Sequence, residues 1–162
     1  MKGLKNLYNQ DKGEIASNIA INWFIENGFT VYKAVVDIEK VDFIVRKVVG
    51  GGKVKPHYYE MQSKGSSSEY PVFKVPRIEN VPVNPDYFYL LVHLYPLNNP
   101  RIYLLTQQEV RKKRYSHTRQ LPKAPKKFES STVIIRLNEE ERKRDDINLR
   151  YRQGIFKRKN KA

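Results

Sequence analysis

None of the 162 residues is a cysteine, which excludes a disulfide framework and any thiolate zinc site. Histidine is scarce too: His57, His93 and His117 have no metal-ligand spacing and read as structural residues. No apolar run approaches the length of a membrane span, and the N-terminus has none long enough for a signal peptide. The expectation is therefore a soluble, cytoplasmic protein with no membrane partner. A phosphate-binding glycine loop is also missing, because Gly50-Gly51-Gly52 lacks the following helix and Lys-Ser/Thr that such a loop needs. Acids are few, 17 Asp and Glu against 31 Lys and Arg, for a formal net charge of +14.

The excess of cations is uneven. Residues 1–110 carry 13 Lys and Arg against 11 acids, whereas residues 111–162 carry 18 against 6. A basic block interleaved with Tyr115, His117, Phe128, Tyr151 and Phe156 suits a polyanion, since cations displace counterions from phosphates and aromatic rings stack on bases. Arg111, Lys112, Lys113, Arg114, Arg119, Arg142, Arg144, Arg150 and Arg152 are the candidate nucleic-acid contacts. The plainer alternative is a solubilising tail, or an arm that binds RNA without chemistry. Length favours one domain, a core over 1–110 and a basic extension over 111–162 that packs on it and frays at its end.

From about Lys12 to Asn27, Ile15, Ile19 and Trp23 recur at spacing four beside Ala16, Ala20 and Phe24, the buried face of a helix. Gly28 follows as a left-handed terminator. "FTVYKAVV", "KVDFIVRKVV" and Val54 to Lys64 read as strands, the last two forming an antiparallel hairpin across the three glycines. Pro71, Pro76, Pro82 and Pro85 deny the next interval a long helix. "DYFYLLVHLY" reads as a strand covered on both faces, expected to pair with "RIYLLT". Thr106 is placed to cap a short helix containing Glu109. "TVIIRL" is a last strand, and one charged helix is expected from Glu139 to Tyr151.

The residues that ask for an explanation lie in "YYEMQSKGSSS". Strand periodicity puts Glu60, Gln62 and Lys64 on one face. Antiparallel pairing sets Asp42 opposite about residues 60 to 62. Asp42 interrupts an apolar run, where a carboxylate must find a partner. A salt bridge to Lys64 or Arg46 is one such solution. Glu14, in the first turn of the first helix, is favoured there by the helix dipole alone.

Lys12-Gly13-Glu14, Val41-Asp42-Phe43 and Gln62-Ser63-Lys64-Gly65-Ser66 occur in an order that resembles the PD-(D/E)XK nuclease superfamily, in the branch of archaeal Holliday-junction resolvases and relatives with a Gln-X-Lys third motif. The resemblance spans roughly Lys12 to Val110. It implies a restriction-endonuclease-like α/β fold, a mixed and mostly antiparallel sheet flanked by helices, and a Mg²⁺- or Mn²⁺-dependent DNA endonuclease. It further implies Asp42, Gln62, the Ser63 carbonyl and Glu14 around the metal, Lys64 as catalytic lysine, and a homodimer that cuts two strands symmetrically. Two departures stand out: Gln62 is neutral where the family has an acid, and the proline-rich stretch replaces the family's second core helix. Glu60, two residues upstream on the same face, and Ser66 in the following serine loop are auxiliary candidates. A non-catalytic nucleic-acid binder on the same fold is the alternative.

Overall fold

The computed structural model describes residues 9–34, 40–47, 56–76, 83–118 and 132–156. Helix α1 (Asn9–Glu26) buries Ala16, Ala20 and Phe24 completely, while Ile15, Ile19 and Trp23 flank them half-buried. The two alanines let the helix approach the sheet closely. Gly28, at φ 80°, ends the helix, a left-handed conformation that costs glycine little.

Strands β1 (Thr30–Lys33), β2 (Phe43–Lys47), β3 (His57–Ser66), β5 (Tyr87–His93) and β6 (Arg101–Thr106) form one sheet in the order β1-β2-β3-β5-β6. Only β3 and β5 run parallel; the other neighbours are antiparallel. This is the mixed, mostly antiparallel sheet expected from the sequence. The antiparallel β2–β3 register pairs Phe43 with Met61, and the glycine turn expected between these strands lies outside the described residues. All seven residues of β5 are buried, consistent with cover on both faces.

A parallel β3–β5 pair needs a crossover, commonly a helix. Here strand β4 (Val72–Pro76) lies in the crossover and pairs antiparallel with β7 (Thr132–Arg136) in a second, two-stranded sheet. One core therefore sits between α1 and the large sheet. The other lies on the opposite face, where Phe73, Val75 and Ile135 meet Tyr89, Leu91 and Val110.

Thr106 does cap α2 (Gln107–Thr118): its hydroxyl accepts the Glu109 N–H at 3.2 Å, and its own N–H donates to Glu109 Oε2 at 2.8 Å. The single charged helix expected after β7 is in fact two, α3 (Glu139–Asp145) and α4 (Ile147–Arg152), divided at Asp146 with φ −54° and ψ 130°. In an unbroken helix Asp145 and Ile147 would point about 200° apart. The break lets both be buried. Asp146 then accepts the Asn148 N–H at 2.9 Å and opens α4.

The basic extension is built into the core. Phe156 is 1% exposed, packs edge-on against Phe24, Phe88 and Tyr59, and its carbonyl accepts the Tyr59 hydroxyl at 2.8 Å. The end expected to fray, 157–162, lies outside the described residues. No described helix is long and apolar enough to cross a membrane.

Candidate active site

Asp42 extends the strand pairing one residue beyond β2. Its N–H donates to the Met61 carbonyl at 2.9 Å and its carbonyl accepts from Ala34 at 3.1 Å. This fixes its backbone between β1 and β3. The carboxylate is fixed as well: Oδ2 accepts both the Ser63 N–H at 2.6 Å and the Ser63 hydroxyl at 3.0 Å. A serine hydroxyl has one proton. Since Ser63 gives it to Asp42, the 2.5 Å contact between Ser63 and Ser17 hydroxyls must run from Ser17 to Ser63. The salt bridges to Lys64 or Arg46 that sequence alone allowed are not formed; two neutral donors compensate Asp42 instead, and among the described residues Oδ1 accepts no hydrogen bond.

An open cavity of about 270 Å³ brings Glu14 and Ser17 from α1 together with Asp42, Ser63 and Lys64, and adds Lys33 from β1. Ser17 and Lys33 escaped the sequence reading. The signal for Ser17 was present, because Glu14, Ser17 and Ile21 follow one helical face at spacings of three and four. Lys33 depends on the β1–β2 pairing, which no local pattern displays. Lys64 forms no ion pair within 4.0 Å among the described residues, so its ammonium is available to a ligand's charge.

Gly65 explains how α1 reaches this strand. A Cβ added there would lie 2.9 Å from the Ala16 Cβ and 3.0 Å from the Lys12 carbonyl oxygen. Neither neighbour can swing aside. Gly65→Ala is therefore expected to push α1 off β3 and destabilise the fold by about 1–3 kcal/mol, read as a lower urea midpoint with an unchanged slope.

Gln62 and Glu60 do not line this cavity. Gln62 is buried, its Oε1 lies 3.2 Å from the Tyr87 hydroxyl, and it does not line the cavity. That hydroxyl also lies 2.7 Å from the Lys40 carbonyl, and one proton serves the two acceptors. Burial first, then Tyr89, Asp42 and Glu60, push the Tyr87 pKa up, which keeps the phenol a donor. Glu60 accepts from the Asn84 amide at 3.1 Å. Ser66 is buried, with its hydroxyl 2.9 Å from that of Ser68. His57 meets Asp86 at 2.8 Å and His93 meets the Ser68 carbonyl at 2.8 Å, so both are structural.

Among the described residues no group of three or more His, Cys, Asp or Glu is placed to hold a metal. Glu14 and Asp42 remain, two hard oxygen donors on one cavity. That set fits Mg²⁺, which binds through one or two carboxylates and keeps its waters.

The candidate nucleic-acid cations divide. Lys113 and Arg150 are held inside by Asp145, Glu141 and Glu109, and Arg144 brackets Asp145, which leaves Lys113 and Arg150 little surface for phosphate. Arg111, Lys112 and Arg114 lie in α2, where Lys112 is exposed; Arg119 lies outside the described residues. Arg142 is half-buried and Arg152 exposed, both beside a second cavity.

No family model matches this sequence and no curated protein matches it. Among solved structures, a bacterial homing endonuclease, I-Ssp6803I, is similar over 93% of this chain and 93% of its own, with a TM-score of 0.51 at 14% sequence identity. The chain thus shares its overall fold with a solved endonuclease.

Proposed function

We propose that this chain is a metal-dependent DNA endonuclease with a PD-(D/E)XK-type site, in which Glu14, Asp42, Ser63 and Lys64 act together. The observation that supports it is their meeting on one cavity from separate elements, with Asp42 held by two hydrogen bonds from Ser63. Asp42 and Glu14 would hold Mg²⁺ or Mn²⁺. The bound metal would supply an acidified water and charge neutralisation at the phosphate. Lys64 brings a cation to the phosphate as negative charge builds on its oxygens and orients the attacking water. The Ser17–Ser63 relay keeps the carboxylate in one orientation before substrate arrives.

The finer reading, cleavage of branched or junction DNA by a homodimer, follows the resemblance to junction resolvases. One panel tests it: single-stranded, duplex and four-way DNA, each with Mg²⁺, Mn²⁺ or chelator. Metal-dependent cutting of any arm supports the enzyme. Binding that persists in chelator, with no cutting in any arm, favours the non-catalytic binder, a reading to which the neutral, Tyr87-bonded Gln62 lends support.

Gln62 has its own test. If its amide oxygen turns to the metal, Gln62→Glu adds a ligand charge and is expected to tighten Mg²⁺ binding about tenfold. Calorimetry showing unchanged affinity would remove Gln62 from the ligand set.

A further inference from the structure

The second cavity, about 480 Å³, lies between the start of β6 and the α3–α4 corner and is lined by Arg101, Arg142, Arg152, Lys143, Glu139 and Asp146, among others. Its charges do not cancel. Glu139 is paired with Lys143 at 3.0 Å, and the Asp146 carboxylate caps the N–H groups of Asn148 and Leu149. Arg101, Arg142 and Arg152 have no ion pair within 4.0 Å among the described residues. Beside them, the Tyr103 side chain is 1% exposed with its hydroxyl lacking any hydrogen-bond partner among the described residues, and the Arg142 Nε is likewise buried and unpartnered. Burial raises the Tyr103 pKa, Arg101 and Arg142 pull it the other way, and Asp146 adds to the rise. A buried donor without an acceptor is costly. Three arginines on one cleft with no carboxylate partner among the described residues ask for an anion.

The strand register sets the distance of this cleft from Lys64. Lys64 is level with Leu91, and Leu91 with Tyr103, so Arg101 lies two strands across and two residues along from Lys64. That is on the order of 12 Å between backbones, or about three to four nucleotides of rise at 3.4 Å each. Alternation puts Lys64, Tyr103 and Arg101 on one side of the sheet.

We infer that the Arg101–Arg142–Arg152 cleft binds backbone phosphate of the same DNA whose scissile bond lies at Lys64, three to four nucleotides away. This deepens the nuclease reading and rests on it for the identity of the substrate. The cleft confers affinity and register, and the chemistry stays at Asp42 and Lys64.

The test is fluorescence anisotropy of a labelled DNA duplex in chelator across a salt series, so that no cleavage is required. Arg142→Ala with Arg152→Ala is expected to flatten the plot of log affinity against log salt by about 1.8, at 0.9 per lost phosphate contact. Arg142→Lys with Arg152→Lys should restore most of the slope. Arg101→Ala alone, which leaves the sequence of both short helices intact, should lower it by about 0.9 and serves if the double variant melts early. Unchanged slopes in the double variant and in Arg101→Ala overturn the cleft. So does stabilisation by inorganic phosphate through these arginines with no change in the DNA slope, because the site would then take a small anion. The readouts separate the two proposals: a reduced slope in a chain that cuts nothing sinks the nuclease and keeps the cleft, whereas unchanged slopes in a chain that cuts DNA do the reverse.

Discussion

Asp42→Asn and Lys64→Ala are each expected to lower single-turnover DNA cleavage by about 10²- to 10⁴-fold while leaving the fold and DNA affinity in chelator nearly unchanged. The asparagine oxygen can still accept from the Ser63 N–H and hydroxyl, so the local framework survives. What disappears is the carboxylate charge that would hold a divalent cation. Lys64 is only half-buried and bridges to no described carboxylate, so its truncation leaves no orphaned partner. Loss of rate without loss of melting temperature would assign chemistry to these two groups. Undiminished cleavage by both variants would remove the proposed site, whatever else the chain does. Ser63→Ala and Ser17→Ala give a graded control: each removes part of the relay that fixes the carboxylate, and each should cost less than removing Asp42 itself.

Much of this site was legible because it rests on periodicity and pairing. The alternation in "YYEMQSK" and the antiparallel β2–β3 arrangement together placed Asp42 within reach of the third strand, and the register seen, Phe43 with Met61, continues to that point. The buried stripe of α1 and the capping pair Thr106–Glu109 follow equally local rules. Alternation gave the face but not the role. It set Gln62 and Lys64 on one face as if they shared one role, yet Lys64 lines the cavity while Gln62 is buried against Tyr87, a residue 25 positions later. The crossover through β4 and its pairing with β7 joins segments some 60 residues apart, which no window of sequence displays. The basic extension misled for a related reason. Charge counting treats Lys113 and Arg150 as surface, because the carboxylates that hold them are supplied by other helices.

Those carboxylates motivate the largest expected loss of stability, that of Asp145→Asn. Asp145 is fully buried, and its two oxygens accept from Arg144 at 2.8 and 3.0 Å and from Arg150 at 3.0 Å, with the Lys113 ammonium at 3.6 Å. Two of these cations have a second carboxylate: Lys113 also pairs with Glu141 and Arg150 with Glu109. Those glutamates in turn use their other oxygens to cap helices, Glu141 on the Asn138 N–H and Glu109 on the Thr106 N–H. One buried charge therefore ties α2, α3 and α4 together. Removing it leaves largely buried cations short of a counter-charge, which is expected to cost about 3–5 kcal/mol, or a melting temperature lower by roughly 6–20 °C for a chain of this size. The pH dependence carries its own sign. Burial pushes the Asp145 pKa up, but Arg144, Lys113 and Arg150 outweigh it and hold the carboxyl below its usual range. A carboxyl whose folded pKa lies below its unfolded value of about 3.9 stabilises fully above that value and loses the contribution as pH falls through the folded pKa. The wild-type melting temperature should thus be steady above about pH 5 and drop steeply below about pH 4. Asp145→Asn should start lower and fall less over the same interval, so that the two curves converge in acid. Parallel curves would show that Asp145 holds no proton-linked stability, and a variant as stable as wild type at pH 7 would show that the network is decorative.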